Sequence, residues 1–113
     1  QHPVILDGEV LTKYFECDLR TGALLPRRTF HPGHGCGTLS GSASTIFLRG
    51  GNPQMFDMTS GTGAALNHVS RPGCFVNIIP AGGIISIPES SSGCTCSYPL
   101  QASFAYVPEP EPD

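Results

Sequence analysis

Five cysteines and two histidines are the residues of this 113-residue chain whose types and spacing could do chemistry. His31, His34 and Cys36 are spaced as HxxHxC, and two imidazoles with one thiolate can bind a transition metal, with Cys94 or Cys96 as the fourth ligand. The alternative interpretation is two exposed loop histidines beside a disulfide cysteine. We favour this alternative, because a metal and a disulfide would compete for the same sulfur.

The number of cysteines favours an oxidising compartment, since few cytoplasmic proteins of this size have five and none of these lies in a CxxC motif. Cys94 and Cys96 lie on the same side of an extended strand, so each bonds more easily to a separate partner than to the other. We expect two disulfides drawn from Cys36, Cys74, Cys94 and Cys96, in a protein that is secreted or periplasmic. Cys17 is expected to be a small buried group without a bridge.

One short pattern recurs three times and divides the chain into units. It consists of an acidic residue, two spacers, a hydroxyl residue and a glycine, an order that commonly ends a strand in a capped turn. The pattern is formed by Asp18, Thr21 and Gly22, by Asp57, Ser60 and Gly61, and by Glu89, Ser92 and Gly93. We therefore expect three related β units in a domain at 1–107, over about residues 1–28, 29–70 and 71–107, before a Pro/Glu acidic tail at 108–113.

The chain is predicted to be all-β, with about four short antiparallel strands in each unit. It has 14 glycines and 11 prolines and no helical spacing, which is typical of many strands joined by turns. Asp7 and Gly8 between apolar runs predict a hairpin with a return strand over residues 9–15 and an outer strand at 23–25. Further strands are expected at 38–39, 45–49 and 54–57, with a turn over 41–44, and at 75–79, 84–87, 94–98 and 103–107.

Charge and hydropathy exclude two classes of partner. Only 13% of the residues are charged and the formal net charge is −3, so the chain lacks the basic surface that nucleic acid requires. No apolar run approaches the roughly 18 residues that a membrane span needs.

The sequence also lacks a nucleophile elbow or paired carboxylates at a strand end, so no catalytic triad is expected.

The repeats resemble the blades of a β-propeller. The turn of Asp18, Thr21 and Gly22 resembles the repeat ending of quinoprotein-like propellers, the pyrroloquinoline-quinone dehydrogenases and their non-enzymatic relatives. Closer similarity comes from HGC at 34–36, RPGC at 71–74, PAGGII at 80–85 and CTCSY at 94–98. These segments are similar to the late, C-terminal blades of large secreted quinoprotein-like propeller proteins known chiefly from planctomycete-type bacteria.

The chain departs from quinone-binding repeats in one important respect. Those repeats carry a tryptophan four residues beyond the glycine, which docks one blade on the next, whereas Pro26 and Ala65 occupy these positions here and the chain has no tryptophan. We therefore expect no bound quinone. No catalytic residue and no metal are expected either, for the reasons given above. A propeller ring takes four or more blades, so three units would leave two blade faces open unless a partner completes the ring.

The leading functional hypothesis is a non-catalytic extracytoplasmic β-propeller segment that serves as a structural or interaction module. Its expected partners are a further propeller segment or copies of itself. Two alternatives stay open: a secreted disulfide-bonded module that self-assembles through sheet edges, and a fragment or subunit of a quinone-dependent oxidoreductase. The large apolar groups expected between blades are Phe15, Leu24, Phe47, Phe56, Phe75, Ile85 and Phe104.

Overall fold

The computed structural model describes residues 2–26, 36–74, 76–90, 92–94 and 100–110. The strands are β1 (Val4–Leu6), β2 (Glu9–Leu11), β3 (Glu16–Asp18), β4 (Ser40–Ser42), β5 (Thr45–Gly50), β6 (Asn52–Asp57), β7 (Thr62–Ala65), β8 (Ile79–Ala81), β9 (Ile84–Ile87) and β10 (Phe104–Tyr106). They form three antiparallel sheets in the orders β1-β2-β3, β4-β5-β6-β7 and β8-β9-β10, which confirms the all-β class. Among the described residues no helix is long and apolar enough to cross a membrane.

The first sheet contains the predicted hairpin but has shorter strands than expected. Asp7 and Gly8 form its turn with φ angles of 50° and 76°. The prediction of a return strand over residues 9–15 is wrong, because the chain turns at Thr12. The Thr12 hydroxyl accepts hydrogen bonds from the backbone amides of Tyr14 (3.1 Å) and Phe15 (3.0 Å), and β3 then returns along β2.

The middle sheet has the four strands predicted for a unit. β5 and β6 cover the expected strands at 45–49 and 54–57. The turn expected at 41–44 is shorter, because β4 occupies residues 40–42 and only Ala43, with φ 52°, and Ser44 connect it to β5. The glycine-rich segment after β6 forms the fourth strand, β7, which pairs antiparallel with β6.

The first and third sheets each have three strands within the described residues, so four are confirmed only for the middle sheet. The outer strand expected at 23–25 is reduced to one bridge between Leu24 and Cys17, since Pro26 follows and cannot donate to a ladder. In the third sheet β9 and β10 lie where strands were predicted and pair directly. Most of the strand expected at 94–98 lies outside the described residues.

The middle sheet lies between the other two. Successive side chains of a strand face opposite sides, and β5 uses both sides. Ile46 and Leu48 pack with Leu11 of the first sheet in one buried cluster. Phe47 packs with Ile87 of the third sheet in a second cluster. The core is therefore two thin apolar layers, one on each face of the middle sheet.

The first strands of the three sheets lie side by side. β4 lies against both β1 and β8, and no other strands of different sheets come as close to each other in the part of the chain that the structure describes. Gly41 permits the approach of β1, because a Cβ at this position would lie 2.7 Å from Cδ1 of Leu6. The sheets therefore fan out from the line of their first strands, in a flat molecule of 43 × 42 × 21 Å.

Four of the seven large apolar groups expected between units lie between sheets. Phe47 and Phe56 are buried, and Ile85 and Phe104 are partly buried against the second cluster. Phe15 and Leu24 are exposed, and exposure of several of these groups was expected if blade faces stay open. Phe75 lies outside the described residues.

Candidate functional site

Two of the three matching turns have the same construction. The Oδ1 atom of Asp18 accepts two backbone amide hydrogen bonds at 2.9 Å, and Oδ1 of Asp57 accepts one at 2.9 Å. The amides of Gly22 and Gly61 each donate to the carbonyl oxygen of the aspartate at 2.9 Å. Both glycines have positive φ, 73° and 75°. These carboxylates hold their own turns, which is a structural role.

The third turn differs from the other two. Ser92 as well as Gly93 has positive φ, 51° and 82°, whereas in the first two turns only the glycine does. The Glu89 amide donates to the hydroxyl of Ser103 at 2.9 Å, which joins this turn to the start of β10. The shared order of residue types thus produces two alike turns and one distinct turn.

The hydrogen bonds in the first two turns favour the charged form of each aspartate. The backbone amides of Thr21 and Arg20 hold the pKa of Asp18 below its usual value, and the amide of Thr59 has the same effect on the pKa of Asp57. Because the folded-state pKa is lowered, each aspartate stabilises the folded protein at a pH above its unfolded-state pKa. This stabilisation is lost as the pH falls through the folded-state value.

We therefore expect a double variant, D18N with D57N, to show a smaller fall in melting temperature than the native protein between about pH 5 and pH 2. Asparagine keeps an acceptor oxygen in each turn but does not titrate in this range. Thermal unfolding followed by circular dichroism across the pH series measures the difference. If the melting temperature depends on pH in the same way in the two proteins, Asp18 and Asp57 are not the source of this pH dependence.

Three of the candidate disulfide cysteines lie in one region. A Cβ on the residue after Cys36 would lie 3.5 Å from the carbonyl oxygen of the residue before Cys74. Arg71 donates to Sγ of Cys74 at 3.2 Å and also to the carbonyl oxygen of Cys94. Cys36 and Cys74 are thiols in the structure, as is the half-buried Cys17. The fourth candidate, Cys96, lies outside the described residues.

The two expected disulfides stay a prediction. Peptide mapping under non-reducing conditions, on protein produced in an oxidising compartment, should find Cys36, Cys74, Cys94 and Cys96 in two bridges and Cys17 as a thiol. The approach of the chain at Cys36 and Cys74 supports bonding within this group. Finding all four as thiols, or as ligands of a metal, would contradict the prediction.

The alternative metal site is not tested by the structure, because His31 and His34 lie outside the described residues. Within the described ranges, no group of three or more histidine, cysteine, aspartate or glutamate side chains is arranged to hold a metal ion. The part of the HxxHxC motif that is described is Cys36, which is exposed.

Buried charged side chains were not expected from the sequence. Lys13, Glu16, Arg49 and Arg71 are all buried. Burial lowers the pKa of the Lys13 ammonium, the nearby Cys36 raises this pKa and Arg49 lowers it further. The only sequence signal is that Lys13, Glu16 and Arg49 lie in or beside apolar strand segments. Their low exposure identifies them as part of the interior.

A cleft of about 300 Å³ lies between turns of the first and middle sheets. Its polar lining includes the carboxylates of Asp7 and Glu9 and the hydroxyls of Ser44 and Thr59, with Met58 among its apolar groups. No histidine, lysine or cysteine is among its described lining residues.

The outer face of the first sheet, on the side away from the middle sheet, is apolar and exposed. A single row crosses it in register, since Ile5 pairs with Val10, Val10 with Cys17 and Cys17 with Leu24. Ile5 is 60% exposed and Leu24 is 75% exposed. The exposure of Ile5 and Leu24 shows that no described strand covers the two ends of this row, and the row contains no charged side chain.

The outer face of the third sheet is likewise exposed, as far as the described residues show. Its row consists of Ile79, Ser86 and Ala105 in register, with Ile84 beside it. Ile79 and Ile84 are each 43% exposed, while the inward neighbour Ile87 is buried. Within the described residues there is therefore one uncovered apolar face at each end of the stack of sheets.

The two outer faces are the candidate interaction site. Sequence reasoning anticipated open faces and named Leu24 but did not identify Ile5, Ile79 or Ile84. Alternation within the short strands was the available signal, and it becomes usable only when the covered side of each sheet is known.

Comparisons of the chain with protein-family models, with curated proteins and with solved structures found no match.

Proposed function

We propose that this chain is a non-catalytic extracytoplasmic module with a structural or interaction role, a segment of a β-propeller whose outer sheet faces pack against further sheets of the same kind. One observation carries the proposal: among the described residues the middle sheet is covered on both faces, whereas each outer sheet has an uncovered apolar face. Contiguous exposed apolar surface on a soluble protein commonly marks an interaction site.

The arrangement of the sheets supports the propeller part of the proposal. In a propeller, antiparallel sheets stand around a central channel, each stacked face to face on the next. Here β1, β4 and β8, the first strands of their sheets, lie side by side, and the outer strands diverge. Two buried clusters fill the spaces between neighbouring sheets.

Two further observations support the non-catalytic and extracytoplasmic parts of the proposal. The shared order of residue types at Asp18 and Asp57 serves turn formation, and the described lining of the cleft contains no histidine, lysine or cysteine. Five cysteines in 113 residues are typical of proteins from oxidising compartments.

Light scattering at micromolar concentration, together with binding of an apolar fluorescent dye, tests the proposal. We expect a defined mass above that of the 11.9 kDa chain, or a monomer that binds the dye through its open faces. A continuous series of rising masses would instead favour assembly through sheet edges, for which the uncharged edge strand β7 is suited. A compact monomer that binds no dye would contradict the proposal.

A further inference from the structure

We propose that a second copy of this chain covers both outer faces, with the first sheet of each copy packed on the third sheet of the other in a closed two-copy ring. This inference rests on the proposed function, which makes the outer faces contact surfaces. It adds the identity of the partner, the pairing of the faces and the number of copies.

The internal stacking determines which faces pair. The middle sheet presents Ile46 and Leu48 to the first sheet and Phe47 to the third, so each side has its own neighbour. If the same order of stacking continues, the uncovered side of the third sheet packs on the uncovered side of a first sheet. Within one copy these faces lie at opposite ends of the fan, so the contact is made between copies.

The side chains on the two faces complement each other in size. From the inner to the outer strand, the first sheet presents the branched side chains of Ile5, Val10 and Leu24, with Cys17 between the last two. The row on the third sheet starts with Ile79 and ends with the small residues Ser86 and Ala105. When the two faces stack with β1 against β8, the large groups at the outer edge of the first sheet meet the small groups at the outer edge of the third sheet.

The fan of sheets argues for closure at two copies. A contact between different faces produces a ring if its rotation closes and a filament if it does not. The sheets diverge from a common line of first strands, which favours a ring. Rings of this architecture have about 4–8 sheets, so two copies with six sheets fit and three copies with nine do not.

The test uses two variants with one charge on each face, Ile5→Glu and Ile79→Glu. In either variant alone every contact between copies contains a glutamate on an apolar face, so we expect a monomer at concentrations where the native protein has twice the chain mass. Association should weaken by at least about tenfold. Val69→Glu is the matched control, since Val69 is 60% exposed, like Ile5, but lies on neither face.

Mixing the two variants in equal amounts gives the decisive result. The intact first sheet of the Ile79→Glu chain can pair with the intact third sheet of the Ile5→Glu chain, and we expect a complex of one copy of each. If either single variant stays dimeric, like faces pair and the inference is wrong. It is also wrong if both variants are monomeric and the mixture stays monomeric.

The failures of the inference and of the proposed function are distinguishable. A native protein that is monomeric at all concentrations overturns self-pairing. If that monomer binds the apolar dye and Ile5→Glu reduces the binding, the open faces exist and the proposed function stands with another partner. If it binds no dye, both fail. Circular dichroism verifies folding of each variant, and Leu24→Glu replaces Ile5→Glu if the latter does not fold.

Discussion

Replacing Phe47 by alanine is expected to lower the free energy of unfolding by about 3–5 kcal/mol. Phe47 is buried between the middle and third sheets, where it contacts Ile78 and Ile87 in the second cluster. Its removal leaves a cavity that the short strands on either side cannot fill by a small shift, because their positions are tied to the hydrogen-bonded ladders. Denaturant unfolding measured by circular dichroism gives the change.

The neighbouring residue, Ile46, provides the control that shows which outer sheet each substitution loosens. Ile46→Ala removes a side chain from the first cluster, on the opposite face of the same strand, and should cost about 2–5 kcal/mol. Hydrogen exchange should then accelerate most in β1–β3 for Ile46→Ala and in β8–β10 for Phe47→Ala. Equal acceleration of both outer sheets in the two variants would contradict the stacking order.

The parts of the fold that could be predicted from the sequence are those that local chemistry determines. Asp7 and Gly8 accept the left-handed backbone of a two-residue hairpin turn, so the turn followed from residue type alone. β5 and β6 carry the apolar and branched residues that fit a half-buried sheet. The turns at Asp18 and Asp57 likewise followed from an acidic side chain and a glycine at fixed spacing.

The errors occurred where tertiary structure overrides local preference. β4 and β7 have the sequences SGS and TGAA, which have little intrinsic strand propensity. β4 nevertheless forms, because Gly41 allows β1 to approach closely, and β7 forms because β6 offers an unpaired edge. At Thr12 a side-chain hydroxyl ended a strand that the alternation would have continued.

The candidate site was predictable only in outline. An incomplete set of sheets implies uncovered faces, but the exposed residues follow from the register of strands three residues long. Leu24 was foreseen as a group between blades, and its exposure results from the lack of a described sheet beyond the first. Buried Lys13 and Arg49 could not be foreseen, because charged residues are seldom fully buried and depend on partners distant in sequence.

Replacing Asn77 by leucine is expected to raise the free energy of unfolding by about 1–3 kcal/mol, the cost of leaving a buried polar group without a hydrogen bond. Asn77 is only 6% exposed, and neither its Oδ1 nor its Nδ2 has a hydrogen-bond partner within the described part of the chain. Leucine has the same branching at Cγ, with methyl groups in place of the amide oxygen and nitrogen. It can therefore occupy this space beside Gly37 without a polar group to satisfy.

A second asparagine, Asn67, is the matched control. Its side chain has hydrogen-bond partners, so the same substitution there should lower the stability instead of raising it. Asn67 donates to the Tyr106 hydroxyl at 2.7 Å and accepts from the Ser70 amide at 2.9 Å and its hydroxyl at 3.0 Å. Asn67→Leu leaves these groups without their partner and should lower stability by about 1–3 kcal/mol. Opposite shifts in denaturant midpoint for the two variants are the expected result. If Asn77→Leu is destabilising as well, the Asn77 amide has a binding partner in the native protein, and the surroundings of Gly37 become the place to search for it.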